Sequence, residues 1–146
     1  MKVSRLLFRR EKNGPVSAQA FLRLKADWGI FEDTCGGGDY QLSLITQSAL
    51  HGVDLLNKRG LCMKKYFANI VLDGKDEGFL AGERYLLGSA QIEITRAGKK
   101  CFEECCLHKE GKSGDCPLQR SAFAKVRKDG LVGVGDLLEK TDLKEA

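Results

Sequence analysis

The stretch QIEIT, residues 91–95, alternates polar and apolar side chains at every position. Successive side chains of a β-strand point to opposite faces, so this pattern predicts a strand with one face in a core. A second short apolar run, Arg84–Leu87, comes just before it, and Gly88 separates the two. Short strands at such close spacing, punctuated by turn formers, are typical of a small β-barrel or β-sandwich.

Further strands are predicted on both sides of this stretch, where apolar runs are bounded by Gly, Asn, Asp and Pro. Between the two predicted strands Phe123–Val126 and Leu131–Val134, Asp129-Gly130 predicts a hairpin turn, because Asp-Gly supplies the positive φ of a tight turn. The predicted strands are Lys2–Phe8, Ala18–Lys25, Gln41–Thr46, Phe67–Leu72, Phe123–Val126 and Leu131–Val134.

One segment, 47–57, changes to a helical period. Leu50, Val53, Leu55 and Leu56 would lie on one helical face, and we expect the helix to end near Gly60.

The chain is long enough for one globular core and too short for two, with 146 residues of which 42% are hydrophobic. We therefore expect a single domain over 1–146, with an ordered core over 1–138 and a polar tail over 139–146. The first residues carry only a three-residue apolar run, Leu6–Phe8, before two arginines, which predicts neither a secretory signal nor a membrane span. A cytoplasmic protein is expected.

The formal charge of +4 comes from interspersed basic and acidic residues. Without a basic stripe interleaved with aromatic residues, this charge does not favour nucleic-acid binding. A cleft for a small anion fits a mildly basic surface equally well.

Four of the six cysteines fall in the segment RAGKKCFEECCLHKEGKSGDC, residues 96–116. In a reducing cytosol such a cluster favours catalysis, metal binding or redox chemistry over a permanent disulfide. Cys101 follows the QIEIT strand closely, so it is expected in a loop at the strand's exit. Lys99 and Lys100 would favour its thiolate, whereas Glu103 and Glu104 oppose that effect.

A metal site built from Cys101, Cys105 and Cys116 is a second interpretation of the same segment. The spacing Cys-x3-Cys-Cys-x9-Cys, with His108 inside it, would hold zinc or an iron-sulfur cluster. It is not the paired Cys-x2-Cys pattern of common structural zinc sites.

Taken together, these motifs resemble the MOSC domain, the module found at the C-terminus of molybdenum cofactor sulfurases and as small stand-alone bacterial proteins. The likeness is looser in the first half of the chain, through 27–30 and 41–45. In the second half it runs through Phe67–Ile70, Gly82, Gly88, Ile92–Thr95, Ala97–Cys101, Gly114–Cys116, Phe123–Val126 and Gly130–Asp136.

The resemblance implies a mainly β fold, a compact β-barrel with a few short helices. It also places Cys101 at the family's characteristic cysteine, which is proposed to carry sulfur or to ligate molybdenum. Asn69, Lys99 and Lys100 would then help to bind a molybdopterin cofactor, although an Asn at a strand end equally often satisfies neighbouring backbone groups.

Three positions depart from the family pattern. Ala68 stands where relatives often have an acidic residue, and Cys35 and Tyr40 stand where many have a histidine and an arginine. These departures put the family's usual binding of an anionic pterin phosphate in doubt for this chain.

Three functions remain open. The first is molybdenum cofactor binding or sulfur transfer through Cys101, with a pyridoxal-phosphate-dependent cysteine desulfurase or a molybdoenzyme maturation protein as partner and no pyridoxal phosphate in this chain. The second is a molybdenum-dependent reductase of N-hydroxylated compounds, which would borrow a redox donor. The third is a cysteine-cluster protein for zinc or iron. The first is the prediction carried forward.

Overall fold

The computed structural model describes residues 1–11, 14–33, 36–55, 67–74, 78–98, 109–111 and 117–141. These residues form a mainly β fold with few helices, as the strand pattern predicts. The elements are β1 Lys2–Phe8, β2 Ser17–Gln19, β3 Phe21–Lys25, β4 Gly29–Ile30, β5 Leu42–Thr46, α1 Gln47–Leu55, β6 Ile70–Asp73, β7 Arg84–Leu87, β8 Ala90–Ala97, a 3-10 helix Pro117–Arg120, β9 Ala122–Lys128, β10 Gly130–Gly133 and β11 Leu138–Thr141.

Two sheets contain these strands. The larger has the order β11-β7-β8-β9-β5-β6-β1-β2, and the smaller has the order β10-β3-β4. The pairs are antiparallel except for β5 with β6, which run parallel and are connected through α1. Because β8 and β5 are both antiparallel to β9, and β6 is parallel to β5, the C-terminal ends of β5, β6 and β8 all point in the same direction along the large sheet.

Alternation along the strands builds the core. On β8, Ile92 and Ile94 are fully buried and Glu93 and Thr95 face outward, so the QIEIT pattern translates directly into an inner and an outer face. The inner face packs Leu, Ile and Val side chains of both sheets together, and we call the opposite surface the outer face. The largest core residues are Leu6, Ile30, Leu42, Leu44, Ile70, Leu72, Leu87, Ile92 and Ile94.

A closed barrel is not formed by strand pairing in the described part of the chain. The two ends of the large sheet approach each other through one isolated bridge, Lys2 to Leu137, beside the backbone bonds Val3 N to Asp136 O and Gly135 N to Val3 O, each 2.8 Å. The turn at Gly135, whose φ is +96°, interrupts the pairing there, so no continuous ladder joins the two ends.

The predicted helix is present, but its predicted apolar face is buried only in part. Ala49 and Val53 are buried, whereas Leu55 is 70% exposed. The reason is that α1 packs against the 3-10 helix as well as against β5 and β6. At Gly52 an added Cβ would lie 2.9 Å from the Pro117 ring, so this close contact decides which side of the helix turns inward.

The predicted hairpin between β9 and β10 is also wrong. Strand β10 pairs with β3 in the smaller sheet, where Val132 is opposite Leu22. At Gly130 the chain crosses the turn between β7 and β8 so closely that an added Cβ would lie 2.4 Å from Ala90 N. The Asp-Gly pair therefore directs the chain from one sheet to the other, and Asp129 Oδ1 accepts a bond from Ala26 N at 2.6 Å.

The last strand extends into the segment 139–146 that the sequence predicts as a polar tail. Strand β11 pairs with β7 as far as Thr141 opposite Arg84, and residues 142–146 lie outside the described residues. Lys140 Nζ forms an ion pair with Glu83 at 2.5 Å, which explains why a polar sequence is held in the sheet. In the described ranges, no helix is long and apolar enough to cross a membrane.

Candidate functional site

The six cysteines and both candidate lysines lie outside the described residues. The thiol role of Cys101, the metal set of Cys101, Cys105 and Cys116, and the cofactor contacts of Lys99 and Lys100 therefore stay predictions. The residues concerned are Cys35, Cys62, Lys99, Lys100, Cys101, Cys105, Cys106 and Cys116.

The points where the cysteine segment leaves and rejoins the fold lie side by side. Gly98, which follows β8, donates its backbone N–H to Ser121 O at 2.7 Å. Its φ is +81°, and an added Cβ would lie 3.0 Å from Gln119 Oε1, so a glycine suits both the conformation and the space. Pro117 is buried at the start of the 3-10 helix, against Gly52.

Chain connectivity ties two of the cysteines to these anchors. Cys101 follows Gly98 by three residues, and Cys116 directly precedes Pro117. Since consecutive Cα atoms are 3.8 Å apart, the Cα of Cys101 lies at most about 11 Å from that of Gly98. The cysteine segment therefore begins and ends on the side of the large sheet where the C-terminal ends of β5, β6 and β8 lie.

Asn69 occupies the position directly before β6 and joins three strands. Its Oδ1 accepts bonds from the backbone N–H of Ser43 at 3.0 Å and from the Ser43 hydroxyl at 3.2 Å. Its Nδ2 donates to Leu7 O at 3.3 Å, and its own N–H donates to Ser43 Oγ at 3.0 Å. The side chain thus replaces a missing ladder partner between β5 and β6, which supports the structural interpretation of this residue.

A surface of aromatic and hydroxyl groups lies on the outer face beside Asn69. Ser43 is opposite Phe123 across β5 and β9, and the ring of Tyr40 packs on Phe123 with 5.0 Å between centroids. Thr95 Oγ1 donates to Asp39 O at 2.5 Å and so fixes the loop before β5 against β8. Tyr40 is 57% exposed, which leaves its ring accessible to a ligand.

The loop that carries Tyr40 is held by buried contacts. Gln41 is buried, donates from Nε2 to Gly38 O at 2.9 Å and accepts from Val126 N at 3.0 Å. Gly36 lies directly on the half-buried Trp28, where an added Cβ would come within 2.2 Å of the indole ring. The glycine run thus allows a close approach of the loop to Trp28, and Trp28 packs beneath it.

Cations dominate the outer face of β7, β8 and β9. Glu93 accepts bonds from Arg84 Nε at 3.1 Å and from Arg127 Nη2 at 3.1 Å, and its side chain is only 17% exposed. Arg96, opposite Phe123, is half-buried and makes no ion pair with the described residues. The described part of this face therefore carries more positive than negative charge.

The described residues contain no group of three or more metal-binding side chains. The Glu83 carboxyl lies beside Lys140 of β11 rather than on this surface. Burial raises the pKa of Glu83, but hydrogen bonds from Lys140, the Leu80 N–H and the Tyr85 hydroxyl outweigh burial and hold it below its usual value. Its chemistry is therefore that of a structural ion pair.

Two of the three departures from the family pattern can be located. Ala68 is buried next to Asn69, so no carboxylate reaches the surface there. Tyr40 contributes a ring to the outer face instead of a cation. Cys35 lies outside the described residues.

Known proteins match this chain in fold but not in sequence. No family model matches the chain, and no curated protein matches it. The YuaD protein from Bacillus subtilis superposes with a TM-score of 0.65 at 16% identity, over 95% of this chain and 94% of that one. YiiM from Escherichia coli superposes with a TM-score of 0.63 at 14% identity, over 100% of this chain and 72% of that one. At these identities the comparison shows that the three proteins share a fold, and nothing beyond the fold.

Sequence reasoning found Asn69 but not its neighbours on the outer face. Ser43 and Phe123 enter the site through strand register, which links residues far apart in the chain. A polar Ser at the outward position of an otherwise apolar strand was the available signal for Ser43. For the packing of Tyr40 on Phe123, the sequence carries no local signal.

Proposed function

We propose that this protein binds a molybdenum cofactor or transfers sulfur, with the Cys101 thiol as the working group. The observation that carries the proposal is the anchoring of Gly98 to Ser121 and Gln119 in a MOSC-like fold. This anchor starts the cysteine segment beside the outer-face surface of Asn69, Thr95 and Tyr40. Loops held by a rigid scaffold are where reactive side chains are usually positioned.

As a sulfur carrier, Cys101 would react by thiol exchange with a persulfide. The Cys101 thiolate attacks the outer sulfur of a partner's persulfide, its new S–S bond replaces the partner's S–S bond, and the partner thiolate leaves. No external oxidant or reductant is needed, because the sulfane sulfur moves without a change in oxidation state. The expected donor is a pyridoxal-phosphate-dependent cysteine desulfurase, so that cofactor belongs to the partner. A reducing cytoplasm would keep Cys101 as a thiol.

As a metal ligand, Cys101 would supply a thiolate, which suits a soft metal such as molybdenum. The described surface fits an anionic pterin, because Arg96 stands two residues before Gly98 and has no counter-ion there. Lys99, Lys100 and Asn69 are the other residues proposed to hold the group. A bound molybdenum cofactor would supply redox chemistry, and a reductase of N-hydroxylated compounds is the enzymatic form of this proposal, with an external redox donor.

The cysteine count favours one further candidate, a zinc or iron site that includes Cys105 and Cys116. Four cysteines within residues 101–116 offer more thiols than a carrier requires. A second thiol near a persulfide would resolve it into a disulfide, which a pure carrier must avoid.

Native mass spectrometry with elemental analysis of anaerobically purified protein separates these candidates. We expect molybdenum, or an added mass of about 32 Da for one sulfur, in the wild type and in the matched control Cys62→Ala. Either signal should disappear in Cys101→Ala. Zinc or iron that survives Cys101→Ala but not Cys105→Ala would instead assign the segment to a metal site.

A further inference from the structure

We propose that the outer face of β8 and β9 binds an oxyanion of the phosphate type, through Lys125, Arg127 and Arg96 around the Phe123 ring. These residues lie on described strands and need no role for Cys101. Arg96 is shared with the proposed cofactor site, but Lys125 and Arg127 are not, so variants of those two residues and of Cys101 test the inference separately from the proposed function.

Strand register places the three cations together. Phe123, Lys125 and Arg127 alternate outward along β9, with buried alanine and valine between them. Side chains two positions apart on a strand are separated by roughly 7 Å. Arg96 of β8 is opposite Phe123, so cations flank that ring from two directions.

The carboxylate on this face is already engaged. Glu93 is opposite Lys125 in the register, yet its oxygens bind Arg84 and Arg127 and form no ion pair with Lys125. Neither the Lys125 side chain nor the Arg96 side chain has a hydrogen-bond or ion-pair partner in the described part of the chain. Among the described residues of this face, Glu93 is the carboxylate near Arg96, Lys125 and Arg127, and it binds only Arg127 of the three, so an incoming anion would meet uncompensated positive charge.

Arg127 adds a donor that lacks an acceptor. It reaches both oxygens of Glu93 through Nη2 alone, at 3.1 Å each. Its Nε is buried and has no hydrogen-bond partner among the described residues. Buried donors are nearly always paired with protein, water or an ion, so this nitrogen indicates a place for a further acceptor.

The aromatic pair determines which anion fits best. The exposed Tyr40 ring packs on Phe123, the residue opposite Arg96, and it would offer a stacking surface to a ligand bound there. A phosphate group could reach this face as free phosphate or as the ester of a small aromatic molecule. Stacking on Tyr40 would favour the ester by a factor of about 2 to 10.

Binding measurements at constant ionic strength test the inference with inorganic phosphate, phenyl phosphate and uncharged phenol as probes. Isothermal titration calorimetry should show both phosphates binding and phenol not binding. Lys125→Gln should weaken phosphate binding about tenfold, since a hydrogen bond to a charged group contributes about 1.5 kcal/mol or more. The matched control Lys128→Gln removes the same charge three residues along β9, at an exposed position, and should leave binding unchanged.

Two further variants assign the source of the anion and separate this site from Cys101. If an aromatic ester is the ligand, Tyr40→Ser weakens phenyl phosphate but not phosphate; if free phosphate is the ligand, both bind equally and Tyr40→Ser affects neither. Cys101→Ala should bind both probes like the wild type. The absence of phosphate binding, or equal losses in Lys125→Gln and Lys128→Gln, would overturn the inference.

Discussion

Replacing Asn69 with Ala should destabilise the protein even when no cofactor is present. The substitution removes the acceptor for the Ser43 N–H and the donor to Leu7 O. Leaving a part-buried N–H without a partner costs about 1–3 kcal/mol. The bond to Leu7 is long, at 3.3 Å, and should contribute less. We expect a loss of about 2 kcal/mol in the free energy of unfolding.

Urea unfolding of cofactor-free protein measures this loss directly, and thermal unfolding should show a midpoint lowered by about 6 °C for a chain of this size. Asn69→Asp keeps the acceptor for Ser43 and should lose less than Asn69→Ala. A double-mutant cycle with Ser43→Ala should give a coupling energy of about 1 kcal/mol, because the two side chains bond each other.

A wild-type stability in Asn69→Ala would refute this reasoning. It would mean that the hydrogen bonds around Asn69 contribute little, and that the residue is available for a ligand. If Asn69→Ala is unstable, any loss of cofactor in that variant has to be measured on the folded fraction before it is assigned to binding.

Three further substitutions test the surrounding framework. The depressed pKa of Glu83 stabilises the fold above its ordinary value of 4.5 and ceases to do so as pH falls through the folded pKa, so Glu83→Gln should be less stable at pH 7. Urea melts across pH should show this difference disappearing in acid, and a constant difference would exclude the ion pair with Lys140 as its cause. Gly36→Ala should cost about 1–3 kcal/mol and alter the fluorescence of Trp28, because its Cβ would lie 2.2 Å from the ring; an unchanged spectrum would contradict that contact. Gln41→Ala should cost about 1–3 kcal/mol in urea unfolding by leaving two backbone groups without partners, whereas a neutral result would mean that they find water.

Local pattern was enough to predict most strands. The bounds of β1 and β7 agree residue for residue with the predicted Lys2–Phe8 and Arg84–Leu87. Alternation along Gln91–Thr95 also predicted which residues would be buried, because the period of two is a property of the strand itself. The mainly β class follows from these elements.

Pairing partners were not predictable from the same patterns. The Asp-Gly turn after β9 has the chemistry of a hairpin, but Gly130 pairs with Leu24, more than a hundred residues away. The buried face of α1 likewise depends on Pro117 of the 3-10 helix rather than on the helix's own leucines. The site shares this property, since Asn69, Ser43 and Phe123 meet through register across three strands.

The resemblance to the MOSC family predicted the mainly β class, although strand pairing does not close a barrel in the described residues, and it leaves the chemistry to experiment. The solved structures share 16% identity or less, which supports the fold and not the identity of the ligand. The departures at Ala68 and Tyr40 give this chain a surface of its own, in which a ring lies near cations that have no side-chain partner among the described residues.

Sulfur loading by a partner enzyme tests the central role of Cys101 most directly. The reduced protein is incubated anaerobically with a pyridoxal-phosphate-dependent cysteine desulfurase and L-cysteine, and its intact mass is recorded before and after treatment with a reductant. We predict one added sulfur, about 32 Da and removable by the reductant, in the wild type and in Cys62→Ala, and none in Cys101→Ala. Equal loading of Cys101→Ala, or a wild type that takes up neither sulfur nor molybdenum, would contradict the role assigned to this cysteine.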